Sequence, residues 1–319
     1  MNRNMNARNF GLRSSNMSRA LVTAYQMKEN GDNSKNQCKT ALNDFAKHLK
    51  EDQGINDLKK VEKSHVLSYA NELNNKFEND QISASSAQNY LSKVNVALEN
   101  ARLDRDCRVD GVREAGLPKR TGIATYDHSV DKESHETALS QVPDRLSVQL
   151  ELQRELGLRF KESSLIDAKN TLDHAVKNGI IRVENGTKGG KLREFKVSSD
   201  KQLTALKNAA AIQCNDRSLI PSDMKWSQYQ SQCYREIQQT NIKFHGERHN
   251  YANDRYEKIS GVKSPVRSQE KHGKSHLQYI ANEKNITLAD AKILDHNTRL
   301  QISNELGHER VSITNNYLG

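Results

Sequence analysis

Arg159 stands just after a Leu-Gly-Leu break in LQRELGLRFKESSL (152–165), and Lys188 lies in NGTKGGK. KFHGERHNYAND (243–254) holds His245 and Arg248 three residues apart, and ELGHERVSITNNYLG (305–319) adds His308 after a Leu-Gly step, with Tyr317 nine positions later. On a helix, residues three apart share a face, so His245 and Arg248 can reach one ligand. Guanidiniums stay charged at any working pH and present planar forks to phosphate oxygens. Imidazoles can hydrogen-bond or move a proton, and a phenol can act as a nucleophile. Taken singly, each residue has an ordinary structural reading as a surface arginine, turn lysine, helix-end histidine or core aromatic. Their order and context carry the meaning.

The formal net charge of +9 and a pI of about 9.2 suit a polyanionic partner, nucleic acid ahead of an anionic membrane surface. No run approaches the roughly 18 apolar residues of a membrane span, and MNRNMNARNFGLRSS lacks the apolar core of a secretory signal. The expectation is a soluble, cytoplasmic protein. Cys38, Cys107, Cys214 and Cys233 are scattered, with no Cys-x-x-Cys pair and no cysteine–histidine cluster at zinc spacing, so they read as free thiols.

At 319 residues, two domains are the natural expectation. Residues 1–16, rich in Asn and Arg, read as a mobile polar basic arm. Residues 17–117 carry apolar positions at three- and four-residue steps in SRALVTAYQMKEN, SKNQCKTALNDFAKHLKEDQG, SHVLSYANELNNKFEND and SASSAQNYLSKVNVALENARL, each opening on a Ser able to cap a first turn. This predicts an all-helical module of four or five helices. The periodicity fails over 108–143, where Gly111, Gly116, Pro118, Gly122 and Pro143 fall, and 118–143 reads as a linker. Residues 144–319 return to helical spacing, except that GIIRVEN (179–185) and LREFKV (192–197), joined by GTKGGK, predict a β-hairpin with Lys188 at its tip.

In this order, GLRFKE, GTKGGK, HGERH and LGHERVSITNNY resemble the arginine box, hairpin lysine, His-x-x-Arg box and final His…Tyr of the tyrosine recombinase (phage integrase) family. The motifs span residues 157–317, and the helical module resembles the family's core-binding domain. The resemblance implies a mainly α fold with a small β-hairpin (α+β) and a catalytic set of Arg159, Lys188, His245, Arg248, His308 and Tyr317, with Glu162 supporting Arg159. Tyr317 would attack phosphorus and form a covalent 3′-phosphotyrosine, which stores the phosphodiester energy. Arg159 and Arg248 would stabilise the charge developing on the phosphate. A free tyrosine has a pKa of about 10, so a cationic pocket would help it lose its proton. His245 and His308 divide phosphate binding and base duty in an order the residues leave open. Lys188 would protonate the 5′-oxygen, with Lys191 as its competitor, while His249 reads as structural. No cofactor or metal is implied, since no compact Asp/Glu cluster or P-loop accompanies the boxes.

The implied partners are double-stranded DNA attachment sites, a homo-tetramer on DNA formed by two dimers in synapsis, and accessory DNA-bending or excision factors, with no membrane. The implied activity is site-specific strand exchange through a Holliday junction that integrates or excises a mobile element, in a nucleoid-associated setting if the chain is bacterial or phage-encoded. Two other readings stand beside it: a type IB topoisomerase-like relaxing enzyme, and a non-cutting architectural or regulatory DNA-binding protein of the same fold. The chain also departs from the family pattern. Sixty residues separate Arg248 from His308, more than usual, which marks an insertion at about 260–292. Many members continue past the tyrosine with a helix that docks on a neighbouring subunit, whereas Leu318 and Gly319 follow here. The expectation is that subunit contacts come from the Tyr317 helix, the insertion or the N-terminal module.

Overall fold

The computed structural model describes residues 3–27 and 32–319, the side chains of 32–36 excepted, and the chain divides into two units, Met1–Thr121 and Gly122–Gly319. Residues 1–2 of the expected arm and 28–31 of the first helical stretch lie outside the described residues. No helix among the described residues is long and apolar enough to cross a membrane. The architecture is mainly α with one two-stranded antiparallel sheet, as expected.

The first unit holds α1 (Met17–Gln26), α2 (Asp32–Glu51), α3 (Lys63–Glu78), α4 (Ala84–Arg102) and the single turn α5 (Gly111–Glu114). In α4, Ala87, Leu91, Val94, Leu98 and Ala101 recur at three- and four-residue steps and are buried against Leu21, Leu42, Phe45 and Tyr69. Ser83 caps α4 by accepting from the Ser86 amide, but the cap of α1 is Asn16 and that of α3 is Glu62, each two residues ahead of the expected serine. Residues 3–16 are packed and do not form a free arm. Asn9 is buried and bonds the Leu58 amide, Leu12 joins the core, and Arg3 donates to the carbonyls of Asn100 and Ala101 at 2.6 Å. Polar side chains satisfying backbone groups make this segment part of the fold.

The second unit runs α6 (Lys132–Gln141), α7 (Asp144–Leu156), α8 (Phe160–Leu165), α9 (Ala168–Asn178), β1 (Ile180–Val183), β2 (Arg193–Lys196), α10 (Asp200–Gln213), α11 (Trp226–Ile237), α12 (Phe244–Ser260), α13 (Pro265–Ser268), α14 (Lys274–Lys284), α15 (Leu288–Glu305) and α16 (Asn315–Leu318). The strands pair with Ile180 opposite Lys196 and Val183 opposite Arg193. Most of 118–143 belongs to this unit and does not behave as a linker. Asp131 caps α6, and Val130, Ala138 and Val142 share a core with Leu146, Leu150, Ile242 and Phe244. Buried Glu247 on α12 pairs with His135 on α6 at 2.9 Å and with Arg154 on α7 at 2.8 Å, which ties the three helices together. The expected insertion folds as α13, α14 and the start of α15. Ile280, Ala281 and Ala291 from it enter the same core as Tyr256, Ile302, Leu306 and Leu318.

Candidate active site

Both Leu-Gly steps read in the sequence are helix ends. Gly157 ends α7 in the left-handed conformation (φ +61°), and Gly307 follows α15 with φ +69°. A Cβ on Gly157 would stand 2.5 Å from the Tyr251 ring and 2.9 Å from Leu306, so both its backbone and its surroundings require glycine. A helix C-terminus leaves carbonyls without intrahelical partners and carries the negative end of the dipole. Two buried arginines occupy these ends. Arg248 donates to the carbonyls of Gly157 and Leu306, the latter at 2.6 Å, and Arg193 donates to those of Leu156, at 2.6 Å, and Glu305.

Glu162 sits beneath them, wholly buried. One carboxylate oxygen accepts from Arg159 Nη1 at 2.5 Å; the other accepts from the Arg159 amide at 2.8 Å and Arg193 Nη1 at 3.1 Å, and lies 3.7 Å from Arg248. Burial alone would raise its pKa, but the charges of Arg193, Arg248 and Arg159 together hold it below the usual carboxylate range. Glu162 thereby fixes Arg159, which precedes α8, and caps that helix from its first turn. The Arg159 side chain is 25% exposed, so this guanidinium keeps a face toward solvent.

The Arg159, Arg248, His308 and Tyr317 side chains meet. Arg248 Nε donates to Tyr317 Oη at 3.1 Å, and His308 Nε2 lies 3.3 Å from Arg248 Nη2, 3.4 Å from Arg159 Nη2 and 3.4 Å from Tyr317 Oη. Arginine only donates, so His308 Nε2 must carry a lone pair toward both guanidiniums, which places its ring proton on Nδ1. Partial burial, then Arg248, Arg159 and Arg193, push the His308 pKa down to about 4. His245 lies on α12, one turn from Arg248, with its ring 5.7 Å from that of Tyr317. Although it is exposed at the cleft, lost solvation and then the charges of Arg248 and Arg159 lower its pKa to about 4.

Lys188 is not brought into this cluster. It is exposed on the turn Lys188–Gly190 and makes no ion pair or hydrogen bond among the described residues. Lys191 pairs with Glu309 in the His308–Tyr317 segment. The base of the loop is nevertheless close to the site, because a Cβ on Gly186 would stand 2.6 Å from the carbonyl oxygen of Lys161, beside Glu162. Arg193 and His128 carry no mark in the sequence motifs, and His249, read there as structural, lies at the site. Arg193 alternates with Phe195 on the inward face of β2, and that two-residue period could have marked it as a buried arginine. His249 lies with its ring 5.0 Å from Tyr317, and His128 lies 5.2 Å from His249, in a cleft also lined by Asp131, Lys243 and His245. No spacing signal links His128 to the boxes.

The family model described as Integrase matches residues 121–254. No curated protein matches the chain. Among solved structures, the Tn1549 transposon integrase in complex with a circular intermediate DNA is 12% identical with a TM-score of 0.53, covering 94% of this chain and 95% of that one. XerH site-specific recombinase, in a post-cleavage complex on a palindromic difH substrate, gives 12% and 0.54 over 95% and 81%. A lambda integrase dimer bound to a COC′ core site gives 12% and 0.54 over 93% and 92%.

Proposed function

With the resemblance to the tyrosine recombinases and their fold as the premise, we propose that this chain is a site-specific DNA recombinase that cuts and rejoins strands through Tyr317. The observation that carries the reading is the Tyr317 hydroxyl within reach of both Arg248 Nε and the lone pair of His308 Nε2, beside a half-open Arg159. A scissile phosphate would bind against Arg159 and His245. The Tyr317 oxygen bonds to phosphorus, its proton passes to His308 Nε2, and the 3′-phosphotyrosine forms as the 5′-oxygen leaves. Lys188 protonates that oxygen when the hairpin tip closes on DNA. Attack by a 5′-hydroxyl on the phosphotyrosine, its proton passing to Lys188, then restores the diester, while His308 returns the first proton to the departing Tyr317 oxygen. Charge stabilisation by fixed arginines supplies most of the acceleration, since phosphoryl transfer needs little else from a protein.

The finer reading follows the same line. The substrate is a pair of double-stranded attachment sites, exchanged through a Holliday junction in a tetramer and assisted by DNA-bending or excision factors, in the service of a mobile element. The DNA-bound relatives and the charge of +9 support DNA as the partner.

The test uses a pool of random-sequence duplexes, each carrying one nick so that the cleaved strand diffuses away. Protein-linked strands recovered under denaturing conditions and sequenced should converge on one site and vanish with Tyr317→Phe. Binding without any adduct would favour the architectural reading. Relaxation of supercoiled DNA with no need for paired sites would favour the topoisomerase-like one.

A further inference from the structure

Tyr317 stands in a short segment whose backbone is held from four directions, chiefly by the stretch that separates Arg248 from His308. Arg299 on α15 is 3% exposed. Its Nε bonds both oxygens of Asp295 at 2.9 Å, Nη1 donates to Asn315 Oδ1 at 3.0 Å, and Nη2 donates to the Gly319 carbonyl at 3.0 Å. His272, in the turn before α14, places Nδ1 2.9 Å from that same carbonyl oxygen. Asn253 on α12 donates to the Tyr317 carbonyl at 3.2 Å while its own side-chain oxygen accepts from Ser264. The Ala124 amide donates to the Asn315 carbonyl at 2.8 Å. Asp295 is braced in turn by Tyr256 Oη at 2.5 Å.

We infer that residues 260–299 form a seat for the nucleophile and that Arg299 is its positioning residue, holding the segment on both sides of Tyr317 through Asn315 and Gly319. The inference deepens the proposed function and rests on it for its catalytic meaning. The geometry excludes a merely solvated excursion, because a buried guanidinium with all three nitrogens engaged spans the helix and the segment. Arg299 acts only through the place it gives the Tyr317 oxygen. A displacement of about 1 Å at a reacting atom can cost on the order of a hundredfold in rate.

The experiment takes the full chain with 3-fluorotyrosine at position 317 and the nicked duplex selected by the wild type. Three quantities are read: single-turnover adduct rate at saturating protein, duplex affinity, and the ¹⁹F resonance. Arg299→Met should slow adduct formation by at least about tenfold, leave affinity within about twofold, and move or broaden the resonance. Arg299→Lys, which keeps one donor toward Gly319, should recover part of the rate. Asn315→Ala removes one contact without disturbing the Arg299–Asp295 pair and should slow the reaction to a smaller degree, which keeps the inference testable if Arg299→Met fails to fold. An unchanged rate and resonance in Arg299→Met, or in a folded Asn315→Ala if Arg299→Met fails, would overturn the seat. If the wild type forms no adduct, the proposed function fails, and the resonance alone decides whether Arg299 holds Tyr317.

Discussion

Replacing Glu162 with glutamine removes the negative charge buried among Arg159, Arg193 and Arg248 while keeping its volume. The carboxylate accepts three hydrogen bonds through two oxygens, at 2.5, 2.8 and 3.1 Å. An amide must present its NH2 where one of those oxygens stood, so a donor then faces a donor. Charge-assisted hydrogen bonds contribute about 1.5–3 kcal/mol each, and removing one partner of a buried ion pair costs about 3–5 kcal/mol. A loss of about 4 kcal/mol is therefore expected, which for a unit of this size lowers Tm by about 10 °C. The pH dependence has a definite sign. The Glu162 pKa is depressed in the folded protein, so its contribution is present above the unfolded value of about 4.3 and is lost as pH falls through the folded value. Thermal unfolding of the C-terminal unit, followed for both proteins, should show the full gap at pH 7 and a shrinking gap below about pH 4. A variant as stable as the wild type at pH 7, or a gap that widens on acidification, would refute the reasoning that Glu162 anchors the arginines.

Four further outcomes are expected. His245 and His308, both pushed down to about 4, should stay neutral at pH 7, and because the unfolded chain binds their protons first, stability should fall as pH drops from about 6.5 toward 4; imidazole NMR titrations with midpoints near 6.5 would contradict this. Gly157→Ala should destabilise by about 1–3 kcal/mol, since a methyl group meets Tyr251 and Leu306 at a positive φ, and denaturant unfolding measures it. Lys188→Ala should leave stability within about 0.5 kcal/mol, as expected of an exposed residue. The same change should slow cleavage of the normal 5′-oxygen leaving group far more than that of a 5′-sulfur, which departs without a proton. Equal slowing on both substrates would remove Lys188 as the general acid. DNA affinity should fall steeply with salt in titrations between low and physiological ionic strength; a flat response would count against phosphate contacts.

The sequence made the hairpin legible because β-branched runs flank a glycine-rich loop, and it made α4 legible because its apolar positions keep helical spacing over the whole element. The Arg–His–Tyr set was visible through order along the chain, and the cluster of Arg159, Arg248, His308 and Tyr317 is what the fold assembles from it. Less visible were features decided by tertiary contact. Glycines and prolines at 111–143 suggested a linker, yet α6 is fixed by the His135–Glu247 pair, whose partners lie 112 residues apart. The N-terminal residues look mobile because they are polar, and their polarity serves backbone groups that are buried or partly buried. Arg193 and Arg299 are ordinary charged positions until helix ends and the Tyr317 segment close over them.

The central claim is that Tyr317 is the nucleophile. Its most direct test is mass spectrometry of the peptide left attached to DNA after the full chain reacts with the nicked-duplex pool and is digested with protease. The account predicts a nucleotide phosphate on Tyr317 and no adduct from Tyr317→Phe. Phosphate on any other residue, or an undiminished adduct from Tyr317→Phe, would contradict it.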